Sequence, residues 1–121
     1  MSWLLVFVGG GLGSVTRFAV GRAALSLLGP AFPWGTLAVN VLGSFAIGLA
    51  VGLFDLAQTG QPARLFLITG FLGGFTTFSA FSLDALTLWQ RGEQGTAAAY
   101  VAASLIASLA AVTIGYLLTS R

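Results

Sequence analysis

The chain has 121 residues, of which 57% are hydrophobic and 7% charged, and its mean hydropathy is +0.98. A soluble domain carries about 25% charged residues, so this chain has too little charge to cover a water-facing surface and belongs in a lipid bilayer. It contains no cysteine and no histidine, which excludes disulfides, zinc chemistry and most nucleophilic or acid–base catalysis, so no enzyme is expected. The five basic residues are all arginine and form no cluster, which argues against a nucleic-acid surface.

A helix needs about 20 apolar residues to cross the hydrocarbon. The length therefore predicts four spans with short turns, one all-α membrane domain over residues 1–121 and no separate soluble domain. The first span runs from about Trp3 to Leu28. It is too long and too rich in glycine for a cleavable leader and lacks a charged start, so it is read as a retained span. Gly29-Pro30 and Pro33 end it, and the second span follows from about Trp34 to Leu56. The third covers about Ala63 to Trp89 and the fourth about Thr96 to Leu118. Trp3, Trp34 and Trp89 fall near span ends, where an indole suits the interfacial belt.

Thr36, Asn40, Ser44, Gly48 and Gly52 recur every four residues in the second span and share one helix face. An amide such as Asn40 is costly in a bilayer without a partner. It serves either as glue between helices or as a donor aimed at an anion. The third span holds the run Gly70-Phe71-Leu72-Gly73-Gly74-Phe75-Thr76-Thr77-Phe78-Ser79-Ala80-Phe81-Ser82. Its three glycines predict either a broken helix, with carbonyls and amides freed, or a tight crossing through small residues. Phe78 and Phe81 lie on one face, and a ring edge is electropositive. Tyr100, Ser104 and Ser108 form a narrow polar stripe on the fourth span.

No Asp or Glu lies at the centre of any span, and Asp84 comes nearest. A proton-coupled or cation carrier needs a carboxylate at mid-membrane. The groups on hand are amides, hydroxyls, ring edges and one deep arginine, Arg17, and donors without carboxylates point to an anion. The loop arginines are balanced, with Arg64 and Arg121 on one side and Arg22 and Arg91 on the other. The positive-inside rule then sets no orientation, which allows insertion both ways and an antiparallel dimer; the alternative is a single orientation with one charge assigned to the wrong side.

Three blocks in order resemble the Fluc/CrcB family of fluoride channels. They are Gly9 to Phe18, Gly35 to Phe45, and Gly70 to Ser82. The resemblance covers the whole chain. It implies an antiparallel, dual-topology homodimer in the cell (inner) membrane that exports cytoplasmic fluoride passively and so protects the cell from its toxicity. It implies that Asn40, Phe78 and Phe81 line the pore with Thr36, that Tyr100, Ser104 and Ser108 form its polar track, and that Ser79 and Ser82 lie near the same path. Arg17 matches a conduit-mouth arginine. The backbone carbonyls of Gly73 and Thr76 match those that hold a structural Na+ at the dimer centre. Ala80 departs from the family, where many members carry a hydroxyl. Two other readings compete. A small multidrug-resistance exporter needs a glutamate in the first span, where this chain has only Arg17 and Arg22 as charges. A scaffold subunit would use its glycine and serine faces for packing alone.

Overall fold

The structure is a computed structural model and describes residues 1–120; Arg121, one of the loop arginines counted above, lies outside the described residues. Four stretches are long and apolar enough to cross a membrane, as expected of a multi-pass membrane protein. The first is α1 (Ser2–Leu28) and the second α2 (Trp34–Leu56). The third is composite: α3 (Gln61–Arg64), a wide π-helical segment (Leu65–Leu72), α4 (Gly73–Phe75) and α5 (Phe78–Gln90). The fourth is α6 (Gln94–Thr119).

The turns follow the local chemistry. Gly29 ends α1 at φ 80°, a left-handed conformation that glycine adopts without penalty. Pro62 sits in the first turn of α3, where its missing N–H deprives no partner. Arg64 ties the turn before α3 by an ion pair to Asp55 at 2.9 Å and a bond to the Thr59 carbonyl at 3.0 Å. At the opposite turn Arg91 pairs with Glu93 at 3.0 Å and donates to the Ala31 carbonyl at 3.0 Å. Exposed pairs of this kind contribute little stability and mainly pin the loops.

Packing runs in two pairs: α1 lies along the π-helical segment and α4, and α2 lies along α6. In a membrane the apolar surface gains nothing by leaving lipid, so helices associate through close van der Waals contact at small residues. Here glycines do this on both seams. A Cβ at Gly9 would meet the Phe66 carbonyl, one at Gly13 the Phe71 carbonyl, and one at Gly74 the Gly10 carbonyl. On the second seam Gly48 abuts the Val112 carbonyl and Gly115 the Phe45 carbonyl. Overpacking of this kind costs roughly 1–3 kcal/mol even where a core relaxes. Gly13→Val should therefore lower the melting temperature of the purified protein and its yield as a monodisperse species. An unchanged melting curve would show that the α1 seam opens freely.

The third span is broken, and the position of the break is informative. Gly70, Gly73 and Gly74 all keep helical geometry. The chain leaves the helix at Thr76 (φ −88°, ψ 160°) and Thr77 (φ −155°, ψ 122°) instead. Of the two roles open to these glycines, Gly70 and Gly74 take the second: they let α1 approach. The threonines sit at the break, and their hydroxyls bond the backbone on either side of it. Thr76 Oγ1 donates to the Leu72 carbonyl at 3.0 Å, and Thr77 Oγ1 caps α5 by accepting from the Ala80 N–H at 3.1 Å.

Candidate functional site

Thr77 is held from the second span. Asn40 donates through Nδ2 to the Thr77 carbonyl at 3.0 Å and accepts the Thr77 N–H on Oδ1 at 2.8 Å. One side-chain amide thus pairs with both backbone groups of a single residue, as a neighbouring strand would. Both halves of Asn40 are used, which fixes the orientation of the amide and leaves one Nδ2 N–H over. Gly43, nearly one turn further along α2, faces the Thr76 methyl and leaves it room.

Beside this clasp runs a groove of about 400 Å³. Its walls come from α2 (Asn40, Ser44), α4 (Gly73), the break (Thr76, Thr77), α5 (Phe78, Phe81) and α6 (Ser104, Ser108). The Ser104 hydroxyl is the one buried side-chain polar atom without a hydrogen bond among the described residues. Phe81 is 8% exposed and packs its ring 5.3 Å from Tyr100, whereas Phe78 is 74% exposed and stands 5.5 Å from Phe81. None of the described acidic residues lines the groove.

The groove therefore gathers Asn40, Phe78, Phe81, Ser104 and Ser108 together with Gly73 and Thr76. The other candidates stand apart. Tyr100 is fully buried beneath Phe81 and donates to Asp84 Oδ2 at 3.1 Å. Ser79 and Ser82 are exposed; Ser79 Oγ lies 3.3 Å from Thr77 Oγ1, and Ser82 donates to the Phe78 carbonyl at 2.9 Å. Arg17 and Thr36 line a second hollow of about 270 Å³ with Arg22 and Ala80. Thr77 borders both spaces. With alanine at position 80, no hydroxyl projects from there into the arginine hollow. The residues that sequence reasoning passed over are Thr77 and Ser44. Ser44 stood in the four-residue row of the second span, and Thr77 in the hydroxyl-rich run, so a signal for each was present.

The arrangement offers donors, ring edges and a buried unpaired hydroxyl, and it withholds carboxylates. Comparison with known proteins settles the lineage. Residues 4–116 match the family model described as CrcB-like protein, Camphor Resistance (CrcB). The chain belongs to the CrcB/FluC fluoride channel family. A protein of Rhizobium etli named "Fluoride-specific ion channel FluC" is 59% identical over 113 residues, covering 93% of this chain and 90% of its own. One of Agrobacterium fabrum with the same name is 56% identical over 112 residues, covering 92% and 90%. The "Fluoride-specific ion channel FluC 1" of Nitrobacter hamburgensis is 50% identical over 119 residues, covering 95% and 94%. Among CrcB proteins the chain is thus matched over nearly its whole length, and the groove and the arginine hollow both fall within the matched region.

Proposed function

We propose that this chain is a fluoride channel that lets cytoplasmic fluoride leave the cell down its electrochemical gradient, and that the central groove is one wall of its pore. The observation that carries the reading is the lining of that groove: hydroxyls, the Asn40 amide and two phenylalanines set among aliphatic side chains, with no carboxylate among them. Fluoride is small and strongly hydrated, so a pore must replace its water with well-placed donors, as cation filters do with carbonyls. Ser104 has a buried hydroxyl with nothing to bind, and such a group is ready for an anion. The edges of Phe78 and Phe81 add weak positive potential that attracts the ion without trapping it. Asn40 braces the wall at Thr77 with Oδ1 and one Nδ2 N–H, and its second Nδ2 N–H remains as a donor.

A single chain leaves this groove open on one side, and polar backbone at membrane depth must be covered by protein or line a watery path. Gly73, Phe78, Ser79 and Ser82 are all exposed near the middle of the third span. A second copy, antiparallel to the first, closes the groove in this reading, and symmetry then gives two pores. The carbonyls of Gly73 and Thr76 receive no turn, cap or side-chain hydrogen bond among the described residues. Bare carbonyl oxygens suit a hard cation, so these residues fit the Na+ site implied for the dimer centre. A sodium ion there supplies positive charge between two half-helix ends that carry partial negative charge.

The decisive experiment is flux. Liposomes loaded with fluoride and containing the purified protein should empty when a potassium ionophore clamps the voltage, and chloride-loaded vesicles should not. Equal loss of chloride would refute selectivity, and retention of both ions would leave a scaffold. Orientation has its own check. Lysines added at the turns on one side should lock one topology and reduce active dimer. Full activity in a proven single orientation would rule out the antiparallel arrangement.

A further inference from the structure

A helix ends with carbonyls that have no partner within it. At the end of α4 these are already apportioned. Leu72 O takes the Thr76 N–H at 3.1 Å and the Thr76 hydroxyl at 3.0 Å. Gly74 O takes Arg17 Nε at 3.0 Å, a bond between residues 57 positions apart. Gly73 O, between them, receives no turn, cap or side-chain hydrogen bond among the described residues. We propose that Arg17 is a positioning residue for the central cation: by holding Gly74 O it fixes the end of the half-helix, so that Gly73 O and Thr76 O stay free and aimed at the ion. The inference rests on the sodium and dimer reading above and gives Arg17 a task separate from any charge at the conduit mouth.

Three features converge on it. Gly10, Gly13 and Arg17 recur at three- and four-residue spacing, so they share one face of α1. The first two let the backbones touch, with Gly10 against Gly74 and Gly13 against the Phe71 carbonyl. That contact delivers the Arg17 side chain to the helix end without slack. A guanidinium also favours the negative end of a helix dipole. It donates here through Nε, a directional N–H that the point charge of lysine lacks. Arg22 makes a useful contrast, since it shares the hollow but lies over the Phe18 ring at 5.8 Å rather than on the break.

The sign of the effect separates positioning from charge. By Coulomb's law alone, removing a nearby positive charge should make Na+ bind more tightly. Positioning demands the opposite. The melting temperature of the purified dimer should be measured against Na+ concentration for the native protein, Arg17→Gln, Arg17→Lys and Arg22→Gln. Both Arg17 variants should need at least tenfold more Na+ for half of the full stabilisation, and Arg22→Gln should track the native curve. An unchanged or lowered Na+ requirement in Arg17→Gln overturns the proposal, whatever its flux. An equal shift in Arg22→Gln also overturns it, by making the effect one of general field. Failure of both Arg17 variants to form a folded dimer at any Na+ concentration overturns it too, since Arg17 would then be needed for folding itself. If the native dimer ignores Na+ altogether, the sodium reading falls, while the fluoride flux assay still stands on its own.

Discussion

Asn40→Asp should cut fluoride efflux by at least about a hundredfold. Aspartate keeps an oxygen for the Thr77 N–H but loses the donor that reaches the Thr77 carbonyl. A buried group left without its partner costs about 1–3 kcal/mol. The larger effect is charge. Two like unit charges about 4 Å apart repel by roughly 4 kcal/mol at an effective dielectric near 20, and every 1.4 kcal/mol is about tenfold. Asn40 borders the groove, so an ionised aspartate there would oppose every entering anion. Asn40→Leu separates the two contributions: it removes both bonds and adds no charge. It should lower the melting temperature more than Asn40→Asp does, while reducing flux less per molecule that folds. Both variants are to be compared by voltage-clamped efflux from liposomes and by thermal unfolding. Native flux in Asn40→Asp would remove Asn40 from the pore wall.

Phe78→Ile and Phe81→Ile should both slow fluoride by about tenfold or more, yet only one should destabilise the protein. Phe81 is buried against Tyr100 and Phe78, and loss of its ring leaves space that the neighbours refill only in part. Large-to-small changes at such sites cost of the order of 1–4 kcal/mol. Phe78 is 74% exposed in the single chain. Its replacement should leave monomer stability within about 0.5 kcal/mol, as at other exposed positions. Isoleucine is apolar in both cases, so lost flux would report the missing ring edge rather than a changed hydropathy. Full conduction in both variants would exclude the aromatic edges from the path.

Much of this was legible in the residues. Four apolar stretches separated by Gly-Pro and Arg-Gly turns announce four spans, because lipid leaves helices no alternative. The odd third span was visible in its composition. What composition could not assign was the labour within it. Three glycines in five residues argue equally for a break and for a close crossing, and only the position of α1 decides. The π-helical segment Leu65–Leu72 leaves no local mark, since its wide turns answer to packing against Gly9 and Gly13. The Asn40–Thr77 clasp joins residues 37 positions apart. Periodicity places Asn40 on a face but does not say which backbone that face meets. The Tyr100–Asp84 bond was hidden for the same reason. The four-residue spacing aligns Tyr100 with Ser104 and Ser108, but it does not show that the Tyr100 hydroxyl donates to a carboxylate one helix away.

A side chain gripped at both ends cannot swing. With Nδ2 and Oδ1 of Asn40 each engaged on Thr77, this wall of the groove is braced like a strut. If the groove conducts as proposed, an ion passing Asn40 needs no rotamer change of that side chain. Such a wall has few soft modes, so its bore should vary little with temperature or with the ion inside it. Stiffness of this kind lets a passage discriminate by radius and still run fast, because the work of shaping the hole was completed when the chain folded.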